Sequence, residues 1–478
     1  MIPVLLILIP AVTGLLSFFI PGAKGAKVWA LISAIATLVV ALYGVCTHKA
    51  AVAGVDASWL PAMGARFTLS MDGMARMLCA LTAVSFPLVF GATYKNEYDK
   101  PGSYYALMLL LQAGLMGVFL ASDALLFYFF WELALIPAYF LCSQWGGEKR
   151  IAVTFKFFVY TFVGSLLMLL GIIYLHGKTA DQSFALQAFY SVKLSLTEQI
   201  WLFWAFFIAF AIKMPVFPFH TWQPDAYEQS PTGVTMILSG VMVKMGLYAV
   251  IRWLLPVFPE AVAKFDHLVI LLCVIGILYS SLIAIRQDDI KRLIAYSSIG
   301  HIGLMAAAIF ANQQIGMQGV MVQMFNHGIN VIGLWIVADA IEQQLGTRKF
   351  SQLGGLAQKA PGLAILLVVM AFANIALPLT NAFVGEFMMF NGLFRYNVWM
   401  AAVAGISIIL AAVYTLGMVQ KVFYGNTVAA TEHATDSSFN VKLVLAILAV
   451  GIIILGVYPQ PVIQLTNDTV QAVITKIH

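Results

Sequence analysis

Seven ionisable residues stand inside otherwise apolar stretches of the chain: Glu132, Lys156, Lys213, Lys244, His301, His327 and Glu386. The most exposed to cost is Lys213, in Trp201-Leu-Phe-Trp-Ala-Phe-Phe-Ile-Ala-Phe-Ala-Ile-Lys213-Met-Pro215-Val-Phe-Pro218. A charge at the centre of a membrane helix costs roughly 2.5–3.5 kcal/mol on insertion scales, so partners or water must accompany it. Carboxylate, amine and imidazole can each give and take a proton, whereas the arginine suited to a static ion pair cannot. Burial disfavours a charged amine and a nearby carboxylate favours it. Each unit of change in proton affinity is worth about 1.4 kcal/mol. A series of such groups can therefore turn a push on one charge into a proton step at the next. Pro215 and Pro218 remove backbone donors beside Lys213, and Pro378, Thr380 and Asn381 interrupt a later apolar run just before Gly385-Glu386. Unwound backbone at membrane depth is tolerated beside a cavity or protein.

Each residue alone has a plainer reading. Lys156 and Arg76 read equally well as members of structural pairs or as side chains snorkelling to the interface, and Asp339 lies near a span end. A lone histidine is more often a satisfied packing residue than a relay. The group as a whole is harder to reconcile with packing, because every unpaired member would be costly in hydrocarbon.

These groups need elements to hold them at depth. Of the 478 residues, 62% are hydrophobic and 10% charged, against about 25% charged in a soluble protein. Apolar runs of about 20 residues follow one another, each long enough for a hydrocarbon core roughly 30 Å thick. Spans are expected at about 2–20, 28–46, 73–93, 103–121, 124–143, 152–175, 200–218, 233–255, 267–285, 293–311, 315–341, 361–394, 399–424 and 441–463. The expected fold is all-α: a polytopic membrane protein of about 14 helices, the seventh and twelfth broken, forming one integral membrane domain over 1–478. Ile208-Ala-Phe-Ala-Ile-Lys213-Met-Pro215 also resembles Met370-Ala-Phe-Ala-Asn374-Ile-Ala-Leu-Pro378. An offset of five spans would make 103–255 and 267–424 two inverted five-helix repeats, a transporter pattern.

About 14 Lys and Arg fall in or beside the loops after odd-numbered spans, against about 8, Lys49 among them, on the other side. That bias puts the odd loops in the cytoplasm and both termini outside. The N-terminus lacks the basic start of a signal peptide and reads as a first retained helix. The net charge of +5 suits such loops better than a nucleic-acid surface. Cys46, Cys79, Cys142 and Cys273 form no metal-ligand spacing, so no metal or cofactor is expected in this chain.

Several motifs in order resemble a known family. They are Phe130-Trp131-Glu132-Leu-Ala-Leu-Ile-Pro137, Lys213-Met-Pro215, His220-Thr-Trp222-Gln-Pro224-Asp225-Ala, Ser230-Pro231-Thr232, Lys244-Met-Gly246-Leu-Tyr248 and Phe383-Val-Gly385-Glu386-Phe. Over about residues 70–425 the chain is similar to the antiporter-like subunits of respiratory complex I (NADH:quinone oxidoreductase). The M-type fits best, because Glu386 stands where the L-type and N-type usually carry lysine. The chain also stops soon after the last span, without the long lateral helix of the L-type.

The resemblance implies that Glu132 pairs with Lys213, that Lys244 is the central lysine, that His301 and His327 link two half-channels, and that Glu386 is the terminal proton carrier. It implies a translocase subunit of the bacterial cytoplasmic membrane, with L-type and N-type neighbours and lipids as partners. FMN, iron–sulfur clusters and quinone would lie in other subunits. Two departures stand out: Ala376-Leu-Pro378-Leu379-Thr380 replaces the family's Gly-Leu-Pro-Gly-Thr, and Tyr227 replaces a frequent histidine. The alternative function is a subunit of a multisubunit cation/proton antiporter without redox coupling. A third is a scaffold whose charges only join helices.

Overall fold

The computed structural model describes residues 1–47 and 54–477; Lys49 of the charge count lies outside them. The protein is all-α in class. Among the described residues, twelve helices are long and apolar enough to cross a membrane, and Ile2–Ser17 and Pro361–Asn374 are shorter apolar helices. Helix ends follow local chemistry. Asp72 accepts from Ala75 N at 3.0 Å to cap Gly73–Ala92. Asp123 accepts from Leu125 N and Leu126 N, each at 3.0 Å, to cap Ala124–Trp145. Pro101, Pro259 and Pro361 occupy first helical positions, where the missing N–H has no partner to lose.

Burial sorts the helices into a core and a sheath. The apolar window of Thr232–Leu254 is wholly buried and that of Gln314–Leu345 is 94% buried, whereas that of Phe439–Val457 is only 28% buried. Lys244 lies on the first of these inner helices, His327 on the second and His301 on Ile290–Phe310, also at the centre. The outer helices expose apolar side chains such as Leu170, Trp201, Trp399 and Ile454 to the surroundings.

Two helices are interrupted at the proline positions. Leu196–Lys213 ends on Lys213, and the chain resumes a helix at Gln223–Gln229. Trp222 Nε1 donates to Ile212 O at 3.0 Å, and Val216 N to Ala211 O at 3.1 Å, so the break's carbonyls regain donors. Pro361–Asn374 and Asn381–Tyr396 flank the second break. There Ala376 and Leu379 have φ of +52° and +75°. These are the two positions where glycine is absent, and left-handed backbone there costs an L-residue about 1–2 kcal/mol. The missing glycines thus change strain while the break is retained.

Three features depart from the expected spans. A hairpin pairs Val55–Leu60 with Ala65–Leu69 and turns through Gly64 at φ +74°. The stretch expected as one plain helix at 233–255 contains π-turns at Leu238–Met242 and Val250–Leu254. Finally, Gln460–Ile477 is a separate amphipathic helix after Phe439–Val457, docked on the core by Gln318 Nε2 donating to Asn467 Oδ1 at 2.8 Å.

Candidate functional site

The first pair joins a whole helix to a broken one. Glu132 sits on Ala124–Trp145 and Lys213 at the last position of Leu196–Lys213. Lys213 is 2% exposed, and Glu132 is the charge that acts on it. They do not touch: among the described residues Lys213 Nζ has no hydrogen-bond partner, nor has Glu132 Oε1. The ammonium lies 5.5 Å from the centroid of the Trp131 ring, whose face attracts a cation. Gly246 brings the next helix against this break, since a Cβ there would lie 2.7 Å from Met214 Cβ and 2.8 Å from Phe210 O.

Lys244 begins a second series. Its Nζ donates to Ser239 O at 2.8 Å and meets His327 Nδ1 at 2.8 Å. The His327 and His301 ring centroids are 5.6 Å apart. His301 Nδ1 meets Glu386 Oε1 at 3.0 Å, and Gln323 Nε2 donates to the same oxygen at 3.4 Å. Gly385 and Gly319 permit this approach. A Cβ on Gly385 would lie 2.6 Å from Gln323 Oε1, and one on Gly319 would lie 2.8 Å from Met389 N.

Hydrogen-bond capacity assigns the protons along this series. Lys244 as an ammonium can only donate, so His327 Nδ1 accepts and the neutral ring carries its proton on Nε2. Glu386 as a carboxylate can only accept, so His301 donates from Nδ1 and keeps a lone pair on Nε2. Both Nε2 atoms are buried without a partner among the described residues. A donor and an acceptor thus remain on the two rings, the roles that a proton step between them needs. A proton passed from Lys244 to His327 Nδ1 would let His327 release its Nε2 proton toward His301.

The ambiguous residues separate from this line. Lys156 Nζ pairs with Asp225 at 2.9 Å and donates to Thr221 O at 2.9 Å. Arg76 donates to Met71 O at 3.2 Å and Thr47 O at 3.3 Å. Asp339 accepts from Asn96 Nδ2 at 3.0 Å. Asp225 continues into a charge network with Arg292, Glu228, Arg348, Asp289 and Glu342 on one loop face.

Sequence reasoning passed over the amides. Gln323, Asn326, His327 and Asn330 fall at i, i+3, i+4 and i+7 on one helix face. Asn326 Nδ2 donates to Asn381 O at 2.7 Å, and Asn330 Nδ2 to Ala373 O at 3.5 Å, across the second break. Asn374 Nδ2 donates to Ser297 Oγ at 3.2 Å and Thr415 Oγ1 at 2.9 Å. The polar stripe is visible at helical spacing, but amides do not titrate and so escape a search for proton carriers.

Comparison with known proteins gives the family and the fold. The transmembrane family NADH:quinone oxidoreductase/Mrp antiporter matches residues 121–411. The chain is 35% identical over 472 residues to NADH-quinone oxidoreductase subunit M of Rhodobacter capsulatus, covering 95% of this chain and 91% of that one. It is similar to a chain of respiratory complex I from Thermus thermophilus with bound NADH, with TM-score 0.90, 30% identity and full coverage of both chains. A chain of the Mrp complex from Dietzia sp. DQ12-45-1b shares the fold with TM-score 0.84 at 23% identity, covering 98% of this chain and 51% of that one.

Proposed function

The chain belongs to the NADH:quinone oxidoreductase/Mrp antiporter transmembrane family, and from that premise we propose how it moves protons in complex I. It is the M-type membrane subunit of NADH:quinone oxidoreductase, in keeping with its relatives and its fold. The residues that carry protons are Glu132, Lys213, Lys244, His327, His301 and Glu386. The observation that carries this reading is the run Lys244–His327–His301–Glu386, with contacts of 2.8 Å and 3.0 Å at its ends and ring centroids 5.6 Å apart between them.

Lys213 supplies the movable charge. It has no fixed hydrogen bond among the described residues, so a change in the field of Glu132 alters its hold on a proton without first breaking one. When Glu132 draws close, it offsets the charge of Lys213; when Glu132 withdraws, the uncompensated ammonium drives the Lys244 proton toward His327. The flavin, iron–sulfur clusters and quinone site belong to partner subunits, with L-type and N-type subunits as neighbours. The odd-numbered loops face the cytoplasm of a bacterial inner membrane and both termini the other side. Segments 103–255 and 267–424 form two five-helix units of opposite orientation around the two breaks.

The antiporter alternative predicts a particle without flavin or iron–sulfur subunits, so co-purification separates the two. Within the complex, Lys213→Met or Glu132→Gln should abolish proton translocation per NADH oxidised in sealed vesicles while the subunit still assembles. Full stoichiometry in either variant would sink the reading. Loss of assembly in Lys213→Met on native gels would instead support the scaffold.

A further inference from the structure

A polar cavity of about 560 Å³ opens on the odd-loop face, between the loop at Asn96–Asp99 and the ends of the inner helices. Its wall includes Asp339, Thr232, Ser230 and Lys291. Asp339 is 6% exposed; Asn96 donates to it, the Thr232 side chain lies beside it, and Lys291 and Glu342 are the charged groups acting on it. From Thr232 the same helical stretch carries two more buried hydroxyls, Thr235 and Ser239, and then Lys244. Ser239 Oγ donates to Thr235 O at 2.8 Å, and Thr235 Oγ1 to Tyr227 O and Pro231 O, each at 3.3 Å.

The π-turn decides whether these groups share a face. At about 100° per residue, a continuous α-helix would place Lys244 about 120° away from Thr232. A π-turn inserts one residue and rotates the downstream residues back by about 100°. The turn at Leu238–Met242 therefore returns Lys244 to within roughly 20° of Thr232. The contact of Lys244 Nζ with Ser239 O, five residues back, agrees with that phase.

We propose that this cavity is the proton uptake site, with Asp339 as the loading carboxylate and Thr232, Thr235 and Ser239 as the path to Lys244. The proposal rests on the relay reading above. Each hydroxyl accepts a proton on a lone pair and releases its own to the next group, directly or through water, so it ends neutral. Asp339 gives up one proton and is reloaded from cavity water. Lys244, left neutral after passing a proton to His327, gains one and becomes an ammonium again.

The test uses the whole complex in sealed vesicles and reads protons translocated per NADH oxidised, with assembly checked on native gels. Thr235→Val keeps shape and removes the hydroxyl, and should cut translocation about tenfold or more. Asp339→Asn should do the same. Thr235→Ser should restore translocation, which a packing role for the Thr235 methyl would not allow. Lys244→Met is the reference. If Lys244→Met abolishes translocation while Thr235→Val and Asp339→Asn keep it in full, the uptake path is wrong and the relay stands. If Lys244→Met keeps it in full, the relay itself fails. Equal loss in Thr235→Val and Thr235→Ser also overturns the path.

Discussion

Replacing Gly456 by alanine should disable the last link of the proposed relay from outside it. Gly456 lies near the end of Phe439–Val457, against the second break. An alanine Cβ there would sit 2.2 Å from Leu379 O and 2.5 Å from Thr380 C. Real Cβ contacts stay above 3.0 Å, so the break must retreat by about 1 Å, and overpacking of this kind typically costs about 1–3 kcal/mol. The displaced segment leads straight into Asn381–Tyr396, which carries Glu386. Moving that helix by about 1 Å would stretch the 3.0 Å His301–Glu386 contact beyond hydrogen-bond range. Misplacement of this size can lower a reaction rate about a hundredfold. Protons translocated per NADH oxidised should therefore fall steeply in Gly456→Ala. The control is Gly451→Ala on the same helix, where an added Cβ meets nothing within 4 Å. Full translocation by Gly456→Ala, or equal loss in Gly451→Ala, would refute the reasoning.

The same geometry sets three further outcomes. Ala376→Gly and Leu379→Gly each relieve left-handed strain of about 1–2 kcal/mol, less about 0.5–1 kcal/mol for glycine's chain entropy. Both should slow thermal inactivation of the complex and retain translocation. Arg348→Ala removes bonds to Asp289, Glu342 and Glu228 at a side chain 20% exposed. It should weaken the loop face by about 2 kcal/mol or more, seen as faster proteolysis there. Asp436 works against partial burial, but the N–H groups of Ser437 and Leu363 and the Lys442 ammonium hold its carboxyl below the ordinary 3.8. A lowered folded value means stability present above 3.8 and lost as pH falls through the folded value. Asp436→Ala should thus lower the melting temperature at neutral pH, and the difference should vanish in strong acid.

How much can be read in the chain depends on how unusual each signal is. An ionisable residue in an apolar run is rare enough to stand out, so Lys213, Lys244, His327 and Glu386 are visible without a fold. The breaks are visible because proline acts locally. The π-turn beside Lys244 is not, because Thr232–Leu254 is wholly buried. A helix apolar on every side has no periodicity to reveal a change of phase. The hairpin does have alternation, in Val55-Asp-Ala-Ser-Trp59 and Arg66-Phe-Thr-Leu69, with Gly64 at its turn. Two short strands carry little weight beside spans of about 20 residues, and the hairpin is easily passed over. The pairs Lys156–Asp225 and Arg348–Glu228 join residues 69 and 120 positions apart, and only packing brings them together.

Protons that cross this chain along Lys244, His327 and His301, as proposed, arrive at Glu386. The most direct test is the number of protons translocated per NADH oxidised by the complex carrying Glu386→Gln, a change that keeps size and removes the proton-accepting charge. A lowered ratio with the subunit assembled is the expected result, because His301 would lose the carboxylate to which it hands the proton. An unchanged ratio would contradict it.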